Sequence, residues 1–169
     1  AAGALPEVVG DKCAGAELVD LSCLGLTGGV PASFGKCAKL KTLWLSGNQL
    51  KEPIPDELGQ CGALEVLNLS QNQLTGGVPA SVGKCAKLKK LYLSQNQLEG
   101  PIPDELGQCG ALEELSLREN QLTGGVPASL GKCAMLKELI LCANQLEGAV
   151  PATELAALTA LTQLVLFQN

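Results

Sequence analysis

The chain has 169 residues and a net charge of -5, from 12 basic and 17 acidic residues. Its 46% apolar content is too high for intrinsic disorder, and with only 2% aromatics the core must be filled by Leu and Cys, with Ala and Val. The sequence has no histidine, which excludes His-dependent triads, His-ligated zinc or haem and imidazole switches, while the acidic balance excludes the basic surface that nucleic acid requires.

The first residues, AAGALPEVVGDK, lack the charged start and long apolar run of a signal peptide. They read as the back half of a repeat: Leu5-Pro6 matches Val30-Pro31, and Val9-Gly10 matches Phe34-Gly35. A partial N-terminal repeat is expected over residues 1–15, able to act as a cap. A looser copy of the repeated phrase starts at Ala16, AELVDLSCLGL. Full copies then open at Leu40, Leu64, Leu88, Leu112 and Leu136, each 24 residues after the last, and a truncated copy runs from 161 to 169. No linker interrupts the array, so one domain over 1–169 is expected. No run of about 18 apolar residues could span a membrane.

Within each copy the L-x-L alternation predicts a short strand. In LKTLWLSGNQL, Leu43 and Leu45 face inward and Trp44 outward. A single copy cannot bury its own apolar face, whereas stacked copies share one core and pair their strands in parallel at ~4.8 Å. Stacking also brings Asn48, Asn72, Asn96, Asn120 and Asn144 into one column. Their amides carry donors and an acceptor for the main chain where each strand ends. Pro31, Pro55, Pro79, Pro103, Pro127 and Pro151 form another column and forbid a long helix there. That half of each copy should form short strands and single 3₁₀ turns, with a short helical turn in segments such as 81–88. A longer period of 48 residues alternates Glu17, Lys41, Glu65, Lys89, Glu113 and Lys137 along one column. Opposite charges then face each other on neighbouring strands, and a one-copy slip would oppose like charges.

These phrases resemble the leucine-rich repeat proteins, whose pattern is L-x-x-L-x-L-x-x-N-x-L. The second half of each copy resembles the plant-specific class, L-x-G-x-I-P-x-x-L-G-x-L; Leu98, Gly100, Ile102, Pro103, Leu106 and Gly107 supply it in one copy. The departures are Leu24 for the Asn of the first copy, Glu52 for a Gly, and Cys for the last apolar residue. The resemblance implies an α/β repeat solenoid, a right-handed horseshoe with a parallel concave sheet and short convex strands or 3₁₀ turns. It also implies receptor ectodomains and inhibitor proteins as relatives.

Six cysteines, Cys13, Cys37, Cys61, Cys85, Cys109 and Cys133, repeat every 24 residues, and Leu158 takes their place in the last copy. A position that accepts Cys or Leu is an apolar core position, so reduced, packed thiols are expected. A disulfide or metal ladder is the weaker alternative, because stacked side chains point in parallel and no C-x-x-C occurs. Cys23 and Cys142 are expected in solvent-facing columns. This cysteine usage leans towards an intracellular, reducing compartment, and the resemblance adds that the paired cap cysteines of secreted members are not recognisable. The sequon Asn68-Leu69-Ser70 falls inside a predicted strand and is read as coincidence.

No catalytic constellation emerges. GGVPASFGK at 28–36 departs from a nucleotide loop in spacing and lacks the following Ser or Thr. It recurs at 76–84 and 124–132, so it is a repeat element. Asp56-Glu57 and Asp104-Glu105 recur in the same way, as solvated turn residues. Thr27, Thr75 and Thr123 return only in every second copy, a poor basis for ice binding. No cofactor or metal is expected. The outward strand columns are the candidate binding surface. The only Trp and the only Tyr of the chain share one of them, and exposed aromatics dominate interface energetics. A protein or peptide site is expected at Trp44, Val66, Asn68, Lys90, Tyr92 and Arg118. A structural subunit docked through an edge carrying Ile140, Val165 and Phe167 is the second reading. A thiol-based redox or metal function is the remote third.

Overall fold

A computed structural model of the chain describes residues 3, 4, 13 and 15–169. The partial repeat expected over 1–15 lies largely outside the described residues. From there the L-x-L phrases form the strands foreseen: β1 (Leu18–Asp20), β3 (Thr42–Trp44), β5 (Val66–Asn68), β6 (Lys90–Tyr92), β8 (Glu114–Ser116), β10 (Glu138–Ile140) and β11 (Gln163–Val165). They make one seven-stranded sheet in sequence order, every pair parallel. Register is strict: Trp44 lies opposite Asn68, which lies opposite Tyr92, which lies opposite Ser116.

On the far side, Pro fixes an extended residue before each turn, and 3₁₀ turns follow at Ala32–Lys36, Asp56–Gln60, Ala80–Lys84, Asp104–Gln108 and Ala128–Lys132. The turn of the second full copy thus ends at Lys84 and does not continue to Leu88. In the copy holding Pro151 the turn is instead α1 (Ala152–Leu155). Short parallel ladders join β2 (Thr27–Gly28) to β4 (Gln49–Leu50), and β7 (Glu99–Pro101) to β9 (Gln121–Thr123).

The core lies between the sheet and these turns. The inward leucines, such as Leu43, Leu45, Leu91 and Leu93, are at most 1% exposed. Two backbone devices hold the stack. The glycine column Gly35, Gly59, Gly83, Gly107 and Gly131 lets adjacent turns touch: a Cβ on Gly107 would sit 2.4 Å from the Ser129 carbonyl oxygen. The Asn column closes the strand ends. Asn120 Nδ2 donates to the carbonyls of Leu93 and Leu117, both at 3.0 Å, and its Oδ1 accepts the Leu98 N–H at 3.0 Å.

The residue before each ladder Asn is left-handed: Gln71, Gln95, Glu119 and Ala143 have φ of 55–57° and Gly47 has 68°. Only Gly47 hinted at this in the sequence. At the next glycine position, Gly76, Gly100, Gly124 and Gly148 have φ of 69–83°. Glu52 replaces that glycine and is not left-handed.

Candidate functional site

From β1 to β10 the central inward residue of each strand is buried, which holds the outward residues of the sheet in a fixed grid. Outward column one runs Leu18, Thr42, Val66, Lys90, Glu114, Glu138 and Gln163; column two runs Asp20, Trp44, Asn68, Tyr92, Ser116, Ile140 and Val165. Trp44 is 41% exposed, while Val66 and Asn68 beside it are half-buried. The structure therefore places Trp44, Val66, Asn68, Lys90 and Tyr92 on three adjacent strands, as foreseen. Arg118 belongs to the next column, one strand beyond, and is exposed. Asn68 Oδ1 accepts the Ser70 N–H at 3.0 Å, a local turn bond.

Tyr92 is not the freely exposed ring expected. It is half-buried, and its hydroxyl donates to Glu114 Oε2. Lys90 Nζ donates to the other oxygen, Glu114 Oε1, at 2.7 Å. Glu114 is thus the hub of the centre. The sequence did not single it out; the signal that could have done so is its register with Lys90 and, one column over, its nearness to Tyr92. Burial pushes the Glu114 carboxyl up, yet the bonds from Lys90 and Tyr92 outweigh it and the net shift is downward. Lys90 is raised, first by its bond to Glu114.

Tyr92 is shifted upward by burial first and by the Glu114 bond second. The neutral phenol is thus the favoured form in the fold. Its stabilising contribution is present below the unfolded value of ~10 and is lost as pH rises through the higher folded value. Tyr92 is the chain's single tyrosine, so absorbance titration at 295 nm reads it alone. The tyrosinate signal should appear above pH ~10 in the folded chain and return towards pH ~10 in Glu114→Gln.

Beyond this centre Arg118 pairs with Glu119 at 2.5 Å, and Gln95 Nε2 donates to Glu119 at 2.8 Å. Ser94, Gln95, Ser116, Arg118, Ile140, Cys142, Gln163, Val165 and Phe167 line a cleft of about 480 Å³. Arg118 and the three apolar edge residues thus share one concavity. Along the alternating column the ion pairs Glu17–Lys41, Glu65–Lys89 and Glu113–Lys137 form at 2.6–2.8 Å. They are exposed to solvent, and their value lies in register more than in stability.

The cysteines of the described residues are all free. Cys61 Sγ donates to the Phe34 carbonyl at 3.2 Å, and Cys85, Cys109 and Cys133 repeat the contact one copy on at 3.5–3.6 Å. Burial pushes the Cys61 thiol up to about 11 and the Cys109 thiol up to about 12. No group of His, Cys, Asp and Glu that could hold a metal occurs among the described residues. Cys142, expected in a solvent-facing column, is 3% exposed; its small side chain lies in the cleft wall with the larger Arg118 and Phe167. Native thiol labelling at pH 8 should modify exposed Cys23 promptly. Cys61 and Cys109 should react on the order of a hundredfold or more slowly, until denaturant opens the fold.

The chain belongs to the leucine-rich repeat family: the family profile described as "Leucine rich repeat" matches residues 16–74 and 66–122. Solved structures place it among plant-class solenoids. The ectodomain of the Arabidopsis thaliana membrane receptor kinase GASSHO1/SCHENGEN3, in complex with Casparian strip integrity factor 2, matches with 38% identity. The match covers 98% of this chain and 20% of that one, with a TM-score of 0.94. The Arabidopsis receptor kinase HAESA, in complex with the peptide hormone IDA and the co-receptor SERK1, matches with 30% identity. It covers 99% of this chain and 28% of that one, with a TM-score of 0.93. A plant ice-binding protein matches with 28% identity, over 98% of this chain and 60% of that one, with a TM-score of 0.79. The chain therefore spans between 20% and 28% of these receptor chains. No curated protein matches it by sequence.

These matches overturn the expected intracellular, reducing compartment, because the receptor structures are of ectodomains and point to the extracellular side. The physical reason is plain in the Cys ladder. Thiols that are buried, hydrogen-bonded and kept protonated serve as packing groups, so their being free carries no information about the redox environment. Among the described residues no helix is long and apolar enough to cross a membrane.

Proposed function

We propose that the chain, acting as a single domain over 1–169, is a non-enzymatic recognition module that takes a protein or peptide on the outward face of its main sheet. The observation that carries this is Trp44: a large apolar ring left 41% exposed on a rigid strand. Beside it stand Val66 and Asn68, and beyond them the Lys90–Glu114–Tyr92 network. Arg118 extends the surface towards the cleft. Large aromatics held in place by a packed scaffold bind with little loss of side-chain entropy. The peptide-hormone complex of the similar receptor HAESA supports the class of partner.

The test compares partner capture from the native source by the wild-type chain and by the Trp44→Ala, Tyr92→Ala double variant. Loss with the variant supports the reading. A partner held equally by both overturns it and favours the second reading, a structural subunit docked through Ile140, Val165 and Phe167. Phe167 at 62% exposed is the observation behind that alternative. Ice binding gains nothing from the geometry: Thr75 Oγ1 is turned to the Lys51 carbonyl at 3.0 Å, and the outward columns are broken by paired charges.

A further inference from the structure

Resting on that reading, we propose that the occupant is an extended peptide lying across the strands, with two apolar residues about six positions apart and a lysine or arginine next to one of them. Two apolar stations stand on the outward face. One is Leu18, Trp44 and Val66 on β1, β3 and β5, with Leu18 61% exposed. The other is Ile140, Val165 and Phe167 around the cleft. The surface between them is polar: Asn68, Lys90, Tyr92, Glu114 and Ser116.

The separation is set by the sheet. From Trp44 on β3 to Ile140 on β10 there are four strand steps, which at ~4.8 Å each give ~19 Å; an extended chain advances ~3.3 Å per residue, so ~six residues bridge the stations. Register fixes this spacing, because every strand pairs with no offset.

The charge comes from Glu138. Lys90 is neutralised by Glu114 and Arg118 by Glu119. Glu138 is half-buried, lies in register between Glu114 and Gln163, and makes no side-chain hydrogen bond or ion pair with any described residue. Its carboxylate is near enough to act on Lys90 through space but is bonded to no group, and it stands on the same strand as Ile140 and two residues from it, on a face whose other central charges are directly paired. A cation beside the second apolar anchor completes it.

The test pans a randomised nine-residue peptide library on the wild-type chain, on Glu138→Lys, and on the Trp44→Ala, Tyr92→Ala double variant, each checked for native fold by circular dichroism. The wild type should enrich peptides with the six-residue apolar spacing and a basic residue beside one anchor. Glu138→Lys should keep the spacing and switch the charge to acidic. Affinity of a wild-type-selected peptide, read by the fluorescence of the single tryptophan Trp44, should fall on the order of tenfold in Glu138→Lys. Enrichment with no preferred spacing, the same peptides on both chains, or no enrichment above the bare surface would overturn the proposal. If the selected peptides bind the double variant as well as the wild type, the sheet-face reading itself fails. If they depend on Trp44 but not on spacing or charge, only this inference fails.

Discussion

Asn120→Ala is expected to destabilise the array by about 3–5 kcal/mol, a large share of the ~5–15 kcal/mol that holds a domain together. The figure follows from counting which groups lose partners. The Leu93 carbonyl accepts from both Asn96 and Asn120, and the Leu117 carbonyl from both Asn120 and Asn144. Each therefore keeps one partner when Asn120 is removed. The Leu98 N–H has Asn120 Oδ1 alone and is orphaned in a buried site. That contributes about 1–3 kcal/mol, and the two lost amide bonds about 1 kcal/mol each. Urea unfolding should show a lower midpoint. Because neighbouring copies are coupled through this column, the transition should also broaden. Asn120→Asp separates donor from acceptor. It retains an oxygen for the Leu98 N–H but aims a carboxylate at two carbonyls. That raises the folded carboxyl pKa, so this variant gains stability as pH falls and loses it as pH rises through the raised value. If Asn120→Ala shifts the midpoint no more than Asn68→Ala, whose side chain makes one local turn bond, the ladder is not what closes the strand ends.

The fold was legible because its determinants recur. The L-x-L strands, the Asn ladder, the Pro column and the shared thiol column are each written several times, and a stacked array is the arrangement that satisfies all of them. What was hidden depends on a single copy or on neighbours. Tyr92 looked like an exposed hot spot because its column faces outward; the register that brings Glu114 to its hydroxyl is a property of two adjacent copies. Cys142 looked exposed for the same reason, yet it is 3% exposed in the wall of the cleft. The left-handed backbone at Gln71, Gln95, Glu119 and Ala143 was hidden because these residues do not advertise positive φ; Gly47 alone did. The compartment was misread because the free thiols are core packing. Glu138 shares the outward column of Val66 and Lys90, but that no group bonds to its carboxylate could be seen only once Lys90 and Arg118 had taken their partners.

Gly107→Ala should be severely damaging, as should the same change at Gly59 or Gly83 in its column, while Gly110→Ala, three residues away, should be nearly neutral. The repeats themselves suggest the contrast. The position of Gly110 is Ala in Ala38, Ala86 and Ala134, whereas the position of Gly107 is glycine in every copy from Gly35 to Gly131. The structure supplies the reason. A Cβ at Gly110 meets nothing within 4 Å, whereas one at Gly107 would lie 2.4 Å from the Ser129 oxygen, 2.7 Å from its carbonyl carbon and 2.7 Å from its Cβ. Two of these are main-chain atoms of the neighbouring turn, so no rotamer change relieves the clash. The turn Asp104–Gln108 must instead move away from Ala128–Lys132, opening the core beneath Leu106 and Leu130, both fully buried. Inserting one methyl into a packed interior usually costs about 1–3 kcal/mol. A clash against backbone, followed by loosened packing of two leucines, should take Gly107→Ala to the top of that range or beyond. On thermal unfolding Gly107→Ala should lose many degrees while Gly110→Ala stays within about 0.5 kcal/mol of wild type. Equal effects would mean that the turns need not touch, and that the rigidity of the binding face rests on the sheet and the Asn ladder alone.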